Sequence, residues 1–274
     1  MNTVEQYGDN ETFLAIVNGT ITNYVDDQIT TVGQGAFSYC TDLVNVDLPN
    51  VETINQYSFY ASGLTSITLP KLTRLSNSAG AFTACRNLVA VSFPIATGEL
   101  SSSMFSSCGE LTSVSIPNAD RIGSSAFTSC SKLQSADFPS VTYIGYYAFE
   151  YDHALQTINF PLATVVNRQA FMNCIGLTRV VLPSVVTLQE ESFRGCTALT
   201  FVSLPSVNEL RRYDYVTETT QTHYEYPFYG CTALTDIYVP FAETDAAATG
   251  APWGAENATV HYSTQFDENG EPII

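Results

Sequence analysis

The stretch Ile122-Gly123-Ser124-Ser125-Ala126-Phe127-Thr128-Ser129-Cys130-Ser131-Lys132-Leu133-Gln134-Ser135-Ala136-Asp137-Phe138-Pro139-Ser140-Val141 decides the fold, because it is one copy of a unit that the chain repeats. Its Phe127 has counterparts at Phe37, Phe59, Phe82, Phe105, Phe149, Phe171, Phe193 and Phe228, spaced by 22 or 23 residues except for a last interval of 35. Pro49, Pro70, Pro94, Pro117, Pro139, Pro161, Pro183, Pro205 and Pro240 follow 12 residues behind each phenylalanine, or 11 in the second copy. The chain therefore holds nine copies of a roughly 22-residue unit. So short a unit cannot bury its apolar face alone, whereas stacked neighbours can, and a fixed period in this range marks a solenoid.

Within the unit, Leu133, Ala136 and Phe138 end on a period of two, which predicts a short strand with Ser135 and Asp137 facing out. Proline then ends the strand, since it has no N–H to donate. Ala126, Phe127 and Cys130 fall within one turn of each other and predict a short helix or 3-10 turn on the opposite wall.

The pattern L-x-x-[VIL]-x-[LF]-P-x-[VA]-x-x-[IVL]-x-x-x-[AS]-F-x-x-C-x-x-L resembles the leucine-rich repeat of BspA-like proteins, from about Ile29 to Phe241. The resemblance implies a curved solenoid with a concave face of short parallel strands. It also implies a bacterial surface or secreted protein that binds other macromolecules.

Departures from the period mark irregular places. The second copy is one residue short between Phe59 and Leu64 and lacks the cysteine, and Asp152 replaces the cysteine of the sixth. Two extra residues sit between Leu75 and Phe82. The ninth copy carries an insertion at about 211–226, and insertions in a repeat map to surface loops. Residues 1–28, with the apolar patch Phe13–Val17, Gly19 and Ile21, are expected to cap the repeat region 29–241. Residues 242–274, holding Trp253 and Val260-x-Tyr262, are expected to close the other end, with a mobile tail from Ser263.

Composition narrows the function. The chain has 274 residues, 45% of them hydrophobic, and 27 acids oppose 10 bases for a net charge of −17. That field argues against nucleic-acid partners. No run reaches the roughly 18 apolar residues of a membrane span, so no membrane insertion is expected. Met1-Asn2-Thr3-Val4-Glu5 lacks the basic and apolar regions of a signal peptide.

The residues that usually carry chemistry are absorbed by the repeat. Cys40, Cys85, Cys108, Cys130, Cys174, Cys196 and Cys231 each lie three residues after a marker phenylalanine, which predicts buried free thiols in a ladder. There is no C-x-x-C, and nothing groups His153, His223 and His261, so neither a metal site nor a cofactor is expected. No motif of hydrolases, metalloproteases or phosphate loops occurs, and the chain reads as no enzyme. Asp152 beside His153 reads as a reshaped turn in which the aspartate bonds the backbone. Asp26-Asp27 and Asp267-Glu268 lack the spacing of a calcium loop and read as solvated surface.

The outward strand positions, two and four residues before each proline, carry the binding expectation. They run Asn45/Asp47, Ser66/Thr68, Ala90/Ser92, Ser113/Ser115, Ser135/Asp137 and Thr157/Asn159, all small, and then Arg179/Val181, Phe201/Ser203 and Asp236/Tyr238. Arg and aromatic groups are the usual anchors of interfaces. The insertion adds Tyr213, Tyr215, Tyr224 and Tyr226, with Arg211 and Arg212 at its base, and resembles a paratope in composition. Tyrosines at an edge also serve to cover a core where the period breaks, and that reading stands beside the first. Tyr57, Tyr143, Tyr146, Tyr147 and Tyr151 read as separate surface residues.

The expected binding residues are thus Arg179, Phe201, Tyr213, Tyr215, Tyr224, Tyr226 and Tyr238. The expected function is a monomeric, non-catalytic recognition or adhesion module for a protein or glycan outside the cell. The alternatives are a phage tail or receptor-binding accessory protein, and an intracellular interaction scaffold. Export of a chain without its own signal would follow from trimming or from release in a virion.

Overall fold

The computed structural model describes residues 3–4, 22–211, 213–216 and 222–273, with backbone alone at 3–4, 213–216 and 222–225. The repeat winds into a parallel β-solenoid of about ten turns, each coil having three sides. The first side is the strand that precedes each proline. It runs from Asn23–Val25 and Asn45–Asp47 through Ser135–Asp137 to Arg179–Val181, Phe201–Ser203, Asp236–Tyr238 and Thr259–His261. Its registers are parallel and in phase with the repeat, as in Ser135↔Thr157 and Arg179↔Phe201.

A second strand wall follows the prolines, and the sequence pattern did not separate it from the first. Short strands such as Thr31–Val32, Thr53–Ile54, Tyr143–Ile144, Val165–Val166 and Thr187–Leu188 pair in parallel with the equivalent residues of the next coil. Two residues are too few to show a period, so only the buried second member, such as Ile144 or Val166, left a trace in the sequence.

The third side, expected as a short helix or 3-10 turn, is a run of turns closed by bonds three residues back that do not join into a helix; the one 3-10 helix among the described residues is Ala246–Ala248 in the C-terminal cap. Its backbone alternates. The N–H groups of Ser125, Phe127 and Ser129 donate at 2.8 Å to the carbonyls of Tyr146, Ala148 and Glu150 on the next coil. Those of Ala126, Thr128 and Cys130 fold back three residues, to Gly123, Ser125 and Phe127. Ser125 (φ 57°) and Ser129 (φ 64°) supply the left-handed residues that send every second N–H outward, and a helix cannot continue through them. This explains the abundance of Ser, Gly and Asn beside each phenylalanine.

The core runs the length of the coil. The phenylalanine rings from Phe37 to Phe228 stack in one column, with centroids 5.0–5.9 Å apart and planes within 21°. Beside it stand the seven cysteines, all buried and free. The thiols of Cys108, Cys130, Cys174 and Cys196 each donate at 3.1 Å to the carbonyl of the phenylalanine one coil back. Burial pushes the Cys40 and Cys85 thiols up to about 11, which leaves them protonated and unreactive at neutral pH.

Asp152 occupies the vacant cysteine position and is fully buried. Its Oδ1 accepts the Cys130 N–H at 2.7 Å, while Oδ2 has no partner. Burial raises this carboxyl well above its ordinary range. A protonated Oδ2 would take the place of the thiol that donates elsewhere in the ladder.

At the N-terminus, Thr3–Val4 pairs with Thr31–Val32 as a further rung of the second wall. The apolar patch Phe13–Val17, Gly19 and Ile21 lies outside the described residues. Asp26 of the acidic pair is used locally, its Oδ1 accepting the N–H groups of Gln28 and Ile29. At the other end Trp253 is fully buried, edge-on to Phe241, and Thr259–His261 extends the first wall by one strand.

Candidate binding site

The strands of the first wall place residues one coil apart side by side, so outward residues form continuous rows. Over the first seven strands those rows are small and, apart from Val25 and Ala90, polar, from Asn23 and Asn45 to Thr157 and Asn159, with ladder contacts such as Asn45 Nδ2 donating to Asn23 Oδ1 at 2.8 Å. From Arg179 onward they change. The Arg179 guanidinium lies 3.5 Å from the centre of the Phe201 ring, close enough for a cation–π contact. Phe201 meets Tyr238 at 5.2 Å, and Tyr238 stacks on His261 at 4.2 Å with planes 7° apart. The His261 Nε2 bonds Asp236 Oδ1 at 2.9 Å, and this bond holds the Asp236 carboxyl below its ordinary range.

The strip is already partly occupied by the protein itself. The tail, expected to be mobile, instead forms a small hairpin: Asp267 N–H bonds the Glu271 carbonyl, Ile273 N–H the Gln265 carbonyl, and Phe266 bridges Pro272. Asp267 Oδ1 accepts the N–H groups of Asn269 and Glu271 and tightens the turn. Its tip rests on the strip. Ser203 Oγ, fully buried, donates to the Gly270 carbonyl at 2.6 Å, and Glu271 pairs with Arg179. Gly270 has φ +80°, and a Cβ there would stand 3.0 Å from Pro183 and 3.1 Å from Pro205, so both its conformation and its close approach require glycine. Tyr238 is left 9% exposed. Beside the hairpin an open cleft of about 480 Å³ remains, lined by Tyr238, His261, Tyr262, Thr264, Gln265 and Ile273.

The structure thus brings Arg179, Phe201 and Tyr238 together, and adds Ser203, His261 and the tail, which sequence reasoning missed. A signal for the tail existed: Asn269-Gly270 between Phe266 and Pro272 is a turn pair between apolar residues. The backbone of the insertion forms an antiparallel hairpin, Tyr213–Val216 with Thr222–Glu225, in the register Tyr213↔Glu225 and Tyr215↔His223. The chain enters it from the second wall, after Glu209–Leu210, and leaves it into the turn wall before Phe228. The side chains of Tyr213, Tyr215 and Tyr224 lie outside the described residues. Tyr226 packs on the cap, its ring 2.8 Å from where a Gly250 Cβ would stand.

Among the described residues no group of His, Cys, Asp and Glu is arranged to hold a metal, and no helix is long and apolar enough to cross a membrane. The BspA type leucine-rich repeat region matches the chain over residues 18–133, 78–178, 120–215 and 164–246. No curated protein matches it. Among solved structures it is similar to a leucine rich cell surface protein from Faecalibacterium prausnitzii, with 24% identity and TM-score 0.48 over 84% of this chain; the chain spans 63% of that protein's length. A leucine-rich repeat protein from Eubacterium ventriosum is 19% identical over 92% of this chain and 81% of its own, with TM-score 0.48. Another, from Bacteroides ovatus, is 16% identical over 90% and 85%, with TM-score 0.37.

Proposed function

The chain belongs to the BspA-type leucine-rich repeat family, and on that premise we propose that it is a non-catalytic recognition module acting at a bacterial cell surface, where it holds a protein or glycan on the Arg179–Phe201–Tyr238–His261 strip. The observation that supports this reading is the strip itself. It sets a cation, two aromatic rings and an imidazole in contact across adjacent strands of a rigid scaffold, groups that anchor interfaces at low entropic cost. The tail hairpin then acts as a latch. A partner that reaches Arg179 and Ser203 must displace Glu271 and Gly270, so the tail sets a threshold that only a better-fitting ligand crosses.

Two measurements test this. Protease shaving of intact producer cells, followed by peptide mass spectrometry, is expected to release peptides of the repeat; peptides confined to the cytosolic fraction would sink the surface reading. Deleting residues 264–274 is expected to leave the solenoid folded and to raise capture of surface proteins or glycans by at least about tenfold, a coupling of about 1.4 kcal/mol. Equal capture by the truncated and full chains would remove the latch.

A further inference from the structure

We propose a second binding site, on the turn wall near the N-terminus, for a neutral pyranose ring of a glycan. It arises from the short second copy. Where the first and third copies place Thr41-Asp42 and Arg86-Asn87, the second has Gly63 alone, and one residue missing from a stack leaves a notch. Gly63 is drawn in so far that a Cβ on it would lie 2.0 Å from the Thr41 carbonyl oxygen. The resulting cleft of about 450 Å³ has a floor of Ala61, Ser62 and Gly63 and is bounded by Tyr39, Tyr60 and Arg86, a size usual for small-ligand sites.

The rim is aromatic and exposed. Tyr39 meets Tyr60 edge-on at 5.2 Å, and Tyr60 meets Tyr57 edge-on at 6.0 Å. Tyr39 remains 68% exposed and Tyr57 47%. Both hold left-handed backbone, φ 60° and 55°; most other copies place Ser, Ala, Asn or Gly at the equivalent positions, and two place Gln169 and Glu191 at that of Tyr57. A bulky side chain there is costly, so the backbone does not select it. The sixth copy also has tyrosines at these positions, but there Tyr151 stands edge-on to His153 in a turn of full length. Room for Tyr57 is made by Gly80, whose absent Cβ would fall 2.6 Å from the tyrosine ring.

The ligand class follows from this chemistry. The C–H face of a pyranose is a flat apolar patch that stacks on an exposed tyrosine ring, and its hydroxyls need donors and acceptors around the edge. Arg86 and Asn87 line the cleft, both exposed, and the Arg86 guanidinium has no hydrogen bond or ion pair among the described residues. The net charge of −17 repels acidic sugars, and this selects the neutral ring.

Isothermal titration of the full chain with cellohexaose, maltohexaose and mannohexaose, and with hexagalacturonate as the acidic comparison, tests the site. Saturable binding of at least one neutral oligosaccharide is expected, weakened at least about tenfold by Tyr39→Gly and by Arg86→Ala. Tyr39→Gly is also expected to raise Tm, which shows that lost binding is not lost folding. The chain lacking residues 264–274 should bind the same sugar unchanged, so this test is independent of the strip. The proposal is overturned if none of the three neutral sugars binds, if hexagalacturonate binds more tightly, or if both variants keep full affinity.

Discussion

The first seven strands of the first wall and the last four share one interior and differ in what they show outside. In both, the same phenylalanine column stacks at 5.0–5.9 Å and the same thiol ladder runs alongside. Outside, the early rows of Asn, Ser, Thr and Asp face solvent, whereas the late rows of Arg179, Phe201, Ser203 and Tyr238 receive the chain's own tail. The difference teaches that a change of character along a repeat marks a contact, and that the contact made in the isolated chain is internal. Whether a partner later replaces the tail is a question of competition on the same residues.

The shared interior can be broken first, and most severely. Phe127→Ala in the early part and Phe193→Ala in the late part should each cost about 3–5 kcal/mol in urea unfolding, as buried aromatic truncations do. Costs differing by more than about 2 kcal/mol would mean that the two regions do not share one core, since the same transfer and cavity contributions act in both.

The early region contains one built-in flaw, and removing it sharpens the comparison. Asp152→Asn keeps the acceptor for the Cys130 N–H and removes the buried titrating carboxyl, so it should stabilise the chain by about 1–3 kcal/mol at pH 7. The sign follows from the raised carboxyl: the folded state holds the proton more tightly, so its stabilisation is complete below the unfolded value near 3.9 and is lost as pH rises toward the folded one. The gain from Asp152→Asn should therefore shrink as pH falls to about 4. A gain independent of pH would show that the aspartate is not protonated in the fold.

The smallest effect compares one position in the two regions. Ser203→Ala removes the buried donor to Gly270 and should cost about 1 kcal/mol, whereas Ser115→Ala, at the same place in an exposed row, should change stability by less than about 0.5 kcal/mol. Deleting 264–274 should abolish the cost at Ser203. A cost at Ser203 that survived in the truncated chain would place the role of that hydroxyl elsewhere than under the tail.

Much of the architecture was legible because periodic sequences repeat their evidence. The outward pairs read from proline, such as Ser135/Asp137 and Arg179/Val181, are the two ends of the observed strands. The cysteine phase placed all seven thiols in the buried ladder. The second wall was not legible, because strands like Tyr143–Ile144 are too short to carry a period. The spacing of Ala126, Phe127 and Cys130 fits a short helix or 3-10 turn, and the three-residue turns of this wall agree with the second of these, but the left-handed Ser125 and Ser129 that keep them from joining into a helix look like ordinary surface serines in the sequence. The candidate strip was legible as a gradient in residue size, but not its occupant.

By itself, then, the sequence determined the phase of the coils from its nine copies, the column of rings and the identity of the inward residues, since each follows from apolar spacing along the chain; the rungs added at the two ends were not among them. Only the tertiary structure decided which outward residues meet. It seated Gly270 between Pro183 and Pro205, paired Tyr213–Val216 with Thr222–Glu225 as a hairpin, and opened a notch among Tyr39, Tyr60 and Arg86. The reason is physical: burial is recorded in local pattern, whereas contacts between Ser203 and Gly270, 67 residues apart, depend on how the stacked coils bring distant surfaces to the same height.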